Sequence, residues 1–295
     1  MDHMTAKVSC FARAYHHRNN RIYIFDDTVA DKLLGEDYNR IANSMIEGLD
    51  FFFPEFKGTK EEGLRKIVDK QLSPSVLARS AFCERKLMDE ISGGCKQYII
   101  FAAGYDTFSL RNTNTSLKIY ELDYPELLKD KHIHIKQAHI ISDAAYVPCN
   151  LVQDSWKDKL LQAGYIESQK SFGSLLGISY YLSKAEFENF LINVYEIMAE
   201  GSALCFDYPS ADKSLETKTN QVLAFGAGEQ MKAVYTRKDI NLLLQKCGFT
   251  LKEYLNPEEM TTMYFSEYNN ANPKYQIQAP DGVEYVYVVK NNLVY

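Results

Sequence analysis

The 295-residue sequence contains no run of eighteen or more uninterrupted apolar residues, so no membrane-spanning helix is expected. It is also short of cationic side chains: 33 Lys and Arg against 39 Asp and Glu leave a formal charge of −6 and a pI near 5.6. Binding a nucleic-acid backbone needs clustered Lys and Arg to displace counterions, so that class of partner is not expected either. The six cysteines, Cys10, Cys83, Cys95, Cys149, Cys205 and Cys247, form no CxxC pair and have no histidines at zinc-ligand spacing. Neither a metal site nor a disulfide framework is therefore expected. No Gly/Ser/Pro-rich linker, internal repeat or low-complexity tract divides the chain. Residues Met1 to Arg21 are polar and rich in His and Arg rather than signal-like, and the expectation is a soluble, cytoplasmic protein with inert thiols.

What is present is ample apolar material, 46% of residues, for one large core. Its periodicity changes near residue 95. Before that point Asp27–Leu34, Tyr38–Leu49, Glu61–Lys70 and Pro74–Ile91 read as helices, with Ser73 as a cap ahead of Pro74. After it, strands at Gln97–Ala103, Leu117–Leu122, Tyr146–Leu151, Ser174–Ser179 and Ser202–Tyr208 alternate with helices at Tyr124–Ile135 and Asp154–Ala163. Ser183 and Glu186 form a capping box ahead of Phe187, Phe190, Leu191, Val194, Ile197 and Met198, with Gly201 as the stop. Thr236 caps a helix closed by Gly248, Phe249–Leu255 is a short strand, and Val283–Lys290 alternates as a final antiparallel strand would. The pattern is α/β: a helical N-terminal layer over 1–94 and, over 95–295, about seven mostly parallel strands wrapped by helices.

The chemistry is expected where the strands end. In Gln97–Thr107 an apolar strand runs into Ala102, Ala103 and Gly104, which lets backbone approach a ligand without a Cβ in the way. Glu121 and Asp123 follow at the apolar end of the next strand, where a carboxylate can accept both ribose hydroxyls of a nucleoside. The alternatives are a plain structural turn with a surface acid, or a nicotinamide site. The latter wants a GxGxxG run facing a pyrophosphate, and only Gly104 is present, flanked by Ala102 and Phe108.

Several segments together resemble the leucine carboxyl methyltransferase-like enzymes along nearly the whole chain. They are Phe11-Ala12-Arg13-Ala14, Phe25-Asp26-Asp27-Thr28-Val29-Ala30, Ala78-Arg79-Ser80-Ala81-Phe82, Ala102-Ala103-Gly104-Tyr105-Asp106-Thr107 and Tyr120-Glu121-Leu122-Asp123-Tyr124-Pro125, then Cys149-Asn150-Leu151, Gly177-Ile178-Ser179-Tyr180-Tyr181-Leu182 and Gly248-Phe249. The resemblance implies a Rossmann-like class I methyltransferase fold, with a seven-stranded, mostly parallel sheet, an antiparallel last strand and an N-terminal helical cap that closes over the substrate. It implies S-adenosylmethionine as methyl donor. By likeness Arg79 pairs with the donor's methionine carboxylate, a task suited to a planar guanidinium. Asp123 holds the ribose, Asn150 and Leu151 frame the adenine, and Ala102, Gly104 and Gly177 supply close backbone. Three departures stand out: Ala102 where the family has Gly, Asn150 where it has Asp, and Leu176 where it commonly has Glu. Asn150 can still accept from the exocyclic amine of an adenine.

Tyr180 and Tyr181 follow the fourth strand and are candidates for orienting an acceptor oxygen, with packing under the cap as the plainer use. Phe51-Phe52-Phe53-Pro54 lines either a substrate pocket or a core, and most of His16, His17, His132, His134 and His139 are expected at the surface. Neither a metal cluster nor a Ser-His-Asp arrangement is legible. With no obvious base, the acceptor is expected to be a small molecule bearing a carboxylate or an acidic hydroxyl. A non-catalytic donor-binding protein, suggested by Leu176, and a nicotinamide oxidoreductase are the alternatives.

Overall fold

The computed structural model describes residues 4–211 and 231–291. Seven strands form one sheet: β1 Gln97–Phe101, β2 Lys118–Asp123, β3 Ala145–Pro148, β4 Ser171–Leu175, β5 Ala203–Pro209, β6 Phe249–Leu255 and β7 Val283–Lys290. Their order is β3-β2-β1-β4-β5-β7-β6. The first five strands pair in parallel, and β7 runs antiparallel between β5 and β6. The sequence places the strands at about the right positions, but β4 begins and ends three to four residues earlier than its apolar run suggests. Ser171 and Gly173 fall before that run, and Ser174 only opens it. In the middle of the sheet they are a packing solution: a Cβ on Gly173 would press into Met198, Leu204 and Phe101. The serine hydroxyls take tyrosine partners, Ser174 with Tyr98 and Ser171 with Tyr165, each at 2.8 Å. A buried hydroxyl is tolerated when it is hydrogen-bonded.

Both faces of the sheet are covered. Phe101, Leu122, Leu204, Phe206 and Val286 pack on one face against α9 Trp156–Gln162, α10 Lys184–Ile197 and α11 Arg237–Lys246. On the other face, Tyr98, Ile100, Phe172, Cys205 and Tyr285 meet Leu77, Phe82 and Leu87 of the long helix α6 Ser73–Ser92. The expected capping box is present at Ser183 with Glu186, and Thr236 caps its helix as expected, with Asp239 completing a second box. Two boundaries differ from expectation. Ser73 is not a cap, because α5 Lys60–Ile67 runs through a wide turn at Val68–Leu72 straight into α6, leaving Ser73 inside the helical segment. Gly201 does not end α10 either: Met198 leaves the helix in extended conformation, three residues earlier.

The first helix, α1 Met4–Asn19, has no counterpart among the helices expected from periodicity. Its residues Cys10 to His16 are all buried, on every side of the helix, and they include Arg13 and His16. A helix buried all round, with charged residues inside, shows no apolar stripe. It packs with α2 Ala30–Leu34 and α3 Glu36–Glu47 in a third apolar cluster that also takes in Tyr105, and Leu127 and Ile135 of α8 Pro125–Gln137.

Candidate functional site

The site forms at the carboxyl ends of β1, β2, β4 and β5. After β1 the chain turns through Ala102 and Gly104, both in left-handed conformation with φ of 52° and 50°. That conformation costs a residue with a Cβ about 1–2 kcal/mol, so alanine at 102 is a strained choice at a glycine position rather than a neutral one. Asp123, buried at the end of β2, accepts the Gly104 N–H at Oδ2 and the Tyr124 N–H at Oδ1, each at 2.7 Å. The two strand ends are thereby clasped together. Of the two acids, Asp123 is the one held at this turn. Glu121, two residues back, is fully buried and committed to Lys131 and Ser109.

Arg79 of α6 reaches across to the end of β4. Gly177 there has φ of 72°, and a Cβ on it would land on the Arg79 guanidinium, so only glycine lets the arginine lie against this backbone. The guanidinium contacts Ser9 Oγ of α1 at 3.3 Å and Asp207 Oδ2 of β5 at 3.9 Å. Both are long for charge-assisted bonds, which leaves the fork poorly saturated by the described residues. Asp207 had drawn no attention in the sequence, where it reads as one acid in an apolar strand. It is fully buried, accepting the Gly177 N–H at 2.6 Å and the Tyr180 hydroxyl at 3.0 Å. Burial raises its pKa, with Arg79, the Gly177 amide and Tyr180 opposing. Tyr181 sits beside Tyr180, ring centroids 6.3 Å apart.

Asn150 lies in the loop after β3, and its Oδ1 accepts the backbone N–H groups of Val152 and Gln153 at 2.9 and 3.2 Å. The carbonyl oxygen expected to receive an adenine amine is thus occupied by the loop, and the amide nitrogen is the atom suited to a ligand. Leu151 packs at the edge of the nearby apolar cluster. Leu176 packs with the cluster on the α6 face.

The structure brings Arg79, Gly177, Tyr180 and Asp207 together, joins Gly104 to Asp123, and places other candidates elsewhere. Phe51 is 66% exposed, and the Phe53 ring lies under Lys66 Nζ at 4.3 Å. His16 is buried rather than at the surface, its Nε2 accepting the Ile24 N–H at 3.0 Å. All six cysteines are buried and unpaired, and burial pushes the thiols of Cys10 and Cys149 up to about 12. After Gly104 there is only one helical turn, Phe108–Arg111, which offers no long helix N-terminus to a dinucleotide pyrophosphate. Among the described residues no helix is long and apolar enough to cross a membrane.

The motifs near the N-terminus explain how α1 is held over this site. Arg13 donates to Asp27 Oδ2 at 2.8 Å and to the Tyr105 carbonyl at 2.6 Å, while Thr107 donates to the same Asp27 oxygen at 2.6 Å. Burial alone would raise the pKa of Asp27, but Arg13 and Arg111 hold it below the usual carboxylate range. Ala6 is brought so close to Gly104 that a Cβ there would meet it at 3.3 Å.

The family model described as leucine carboxyl methyltransferase matches residues 6–195. A Bacillus subtilis strain 168 protein, named provisionally as the S-adenosyl-L-methionine-dependent methyltransferase YktD, is 34% identical over 97% of each chain. The fold is shared with a DUF574 family protein of Streptomyces avermitilis MA-4680, at TM-score 0.60 and 11% identity over 97% of each chain. It is shared also with a protein of Thermobifida fusca YX named provisionally as a methyltransferase, at TM-score 0.52 and 14% identity over 84% of this chain and 94% of that one. The match over most of the chain shows that this chain belongs to the leucine carboxyl methyltransferase family.

Proposed function

We propose that this chain transfers the methyl group of S-adenosylmethionine to an oxygen of a small molecule. Family membership carries the coarser statement, an S-adenosylmethionine-dependent methyltransferase. The observation that supports the donor site most directly is the seating of Arg79 on Gly177, next to the Gly104–Asp123 clasp. The residues suit the donor: a guanidinium with spare hydrogen-bonding capacity for a methionine carboxylate, a fixed carboxylate for ribose hydroxyls, and glycine backbone between them. Asn150 would meet the adenine through its amide nitrogen, and Leu151 would pack on it.

When bound, the donor supplies an electrophilic methyl group on a sulfonium. The protein's part is to align the acceptor oxygen with that carbon and exclude water, and α1, lying over Gly104 and touching Arg79 through Ser9, is placed for both tasks. A donor-binding protein without turnover is favoured by one observation, the apolar packing of Leu176 at a position where the family resemblance implies an acid.

Arg79→Ala and Asp123→Ala are each expected to weaken S-adenosylmethionine binding by about tenfold or more, through lost charge-assisted hydrogen bonds. Titration calorimetry checks this, and unchanged affinity in both variants removes the site assignment. Release of label from methyl-labelled donor into carboxylate and hydroxyl acceptors separates turnover from simple binding.

A further inference from the structure

We propose that Tyr180 and Asp207 form a proton relay for a hydroxyl-bearing acceptor, Tyr180 touching the acceptor oxygen and Asp207 receiving the proton behind it. The proposal rests on the reading of the chain as an oxygen methyltransferase and narrows the acceptor from carboxylate or hydroxyl to hydroxyl. A carboxylate acceptor is already a nucleophile at neutral pH, whereas an alcohol or phenol must lose a proton as the new bond forms.

The geometry supplies a base. Asp207 is fully buried on β5, yet three groups address it: the Gly177 amide at 2.6 Å, the Tyr180 hydroxyl at 3.0 Å and the Arg79 guanidinium at 3.9 Å. Ser179 fixes the same turn by donating to the Asp207 carbonyl at 2.6 Å. No ligand reaches Asp207 in this arrangement, but Tyr180 is only half-buried and stands three residues beyond Gly177. Among the described residues the tyrosine is therefore the hydroxyl that links the site to the acid. Among the described residues the other titratable groups facing Asp207 are Tyr285, its cross-strand partner on β7, and Cys205, two residues earlier on β5. Neither is a second acid, so Arg79 is the chief influence on its charge. Burial raises the proton affinity of Asp207 and Arg79 is the main opposing group. A carboxylate docked on Arg79 would offset part of that opposition, making Asp207 a better proton acceptor once donor is bound.

In the step itself, Tyr180 Oη takes the acceptor's proton while its own proton passes to Asp207 Oδ2. The electron pair left on the acceptor oxygen forms the bond to the methyl carbon, and the carbon–sulfur bond breaks with its pair retained on sulfur. One positive charge on sulfur and one negative charge on Asp207 are discharged together, and the proton on Asp207 later leaves to solvent.

The test uses the full-length protein at about pH 8, labelled donor, and two acceptors of similar shape: phenol, which is protonated there, and 4-nitrophenol, which is largely ionised there. Tyr180→Phe and Asp207→Asn should each slow methylation of phenol on the order of a hundredfold and leave 4-nitrophenol much less affected. Donor affinity by calorimetry should hold in Tyr180→Phe, which excludes a folding loss. Calorimetry in buffers of different ionisation enthalpy should also show less than a full proton taken up on donor binding in the wild type and none in Asp207→Asn, because an Asp207 already protonated could not receive the acceptor's proton. Equal losses for both phenols, turnover of 4-nitrobenzoate alone, no turnover of either phenol, or uptake of a full proton on donor binding in the wild type overturns the relay. Failure of the wild type to bind donor would instead overturn the cofactor reading on which it stands.

Discussion

Gly177 and Arg79 show how much a single position decides. The guanidinium lies where a Cβ on residue 177 would be, and the backbone there is left-handed, so an alanine is opposed both by the side chain above it and by its own φ. Gly177→Ala is expected to displace Arg79 and lower S-adenosylmethionine affinity by about tenfold, with the far-ultraviolet spectrum unchanged. Titration of the purified variant reads this directly, and retained affinity would place the donor's carboxylate away from Arg79. Asp123 and Glu121 make the same point from the other direction. They are the same kind of residue two positions apart, but one is fixed at the strand's end by backbone amides and the other is spent on Lys131. Sequence could name both; only the strand's end point separates them.

At the level of elements, the parts of the chain with a clean period were legible and the parts with a mixed one were not. The α10 and α11 helices carry capping boxes and three- and four-residue apolar steps, and both are found as expected. The strand β4 was misplaced because its glycine and serines pack centrally through tyrosine hydroxyls, and α1 was missed because it is buried on all sides. Of the site, Arg79, Gly104, Asp123 and Gly177 were named from the residues and the family likeness, while Asp207 was not, since a lone acid inside an apolar strand has no local signature. The burial of α1 has a measurable consequence at its C-terminal end. His16, enclosed there with Arg65 nearby, has its pKa lowered by burial first and by that cation second, to about 3. As pH falls below about 6.5 the unfolded chain takes up a proton that the folded chain refuses, so this group's contribution to stability declines progressively down to the folded pKa. The loss amounts to about 2 kcal/mol between pH 7 and pH 5. His16→Gln, which keeps an acceptor for the Ile24 N–H, should flatten the pH dependence of urea unfolding by about that amount over the same window. An unchanged slope would mean that His16 protonates without leaving its place.

For the molecule as a whole, the question is whether the helices before residue 95 are a separate cap or part of one cooperative unit. We propose a division into 1–94 and 95–295 as a division of layers, because the contacts that would have to break to separate them are among the most buried in the chain. Asp27 joins Arg13 of α1 to Thr107 and Arg111 of the segment after β1, and Arg111 continues to Glu84 of α6. Lys7 adds two ion pairs at 2.9 Å, to Asp37 of α3 and Asp130 of α8, and Tyr105 inserts into the apolar cluster of the first helices. Removing one partner of a buried ion pair leaves the other charge uncompensated, which is far more costly than losing a surface pair. Asp27→Asn is near-isosteric but strips the charge facing Arg13 and Arg111, and is expected to cost on the order of 3 kcal/mol of global stability. If the layers fold as one unit, urea unfolding of both wild type and variant will be a single transition, coincident by circular dichroism and by Trp156 fluorescence, with the variant's midpoint lower. Trp156 is buried on the far face of the sheet from α6, so its signal reports the sheet alone. A variant in which helical signal is lost well before the tryptophan responds would show that 1–94 unfolds independently. The cap would then be free to lift from the donor site at a cost much smaller than that of unfolding the sheet.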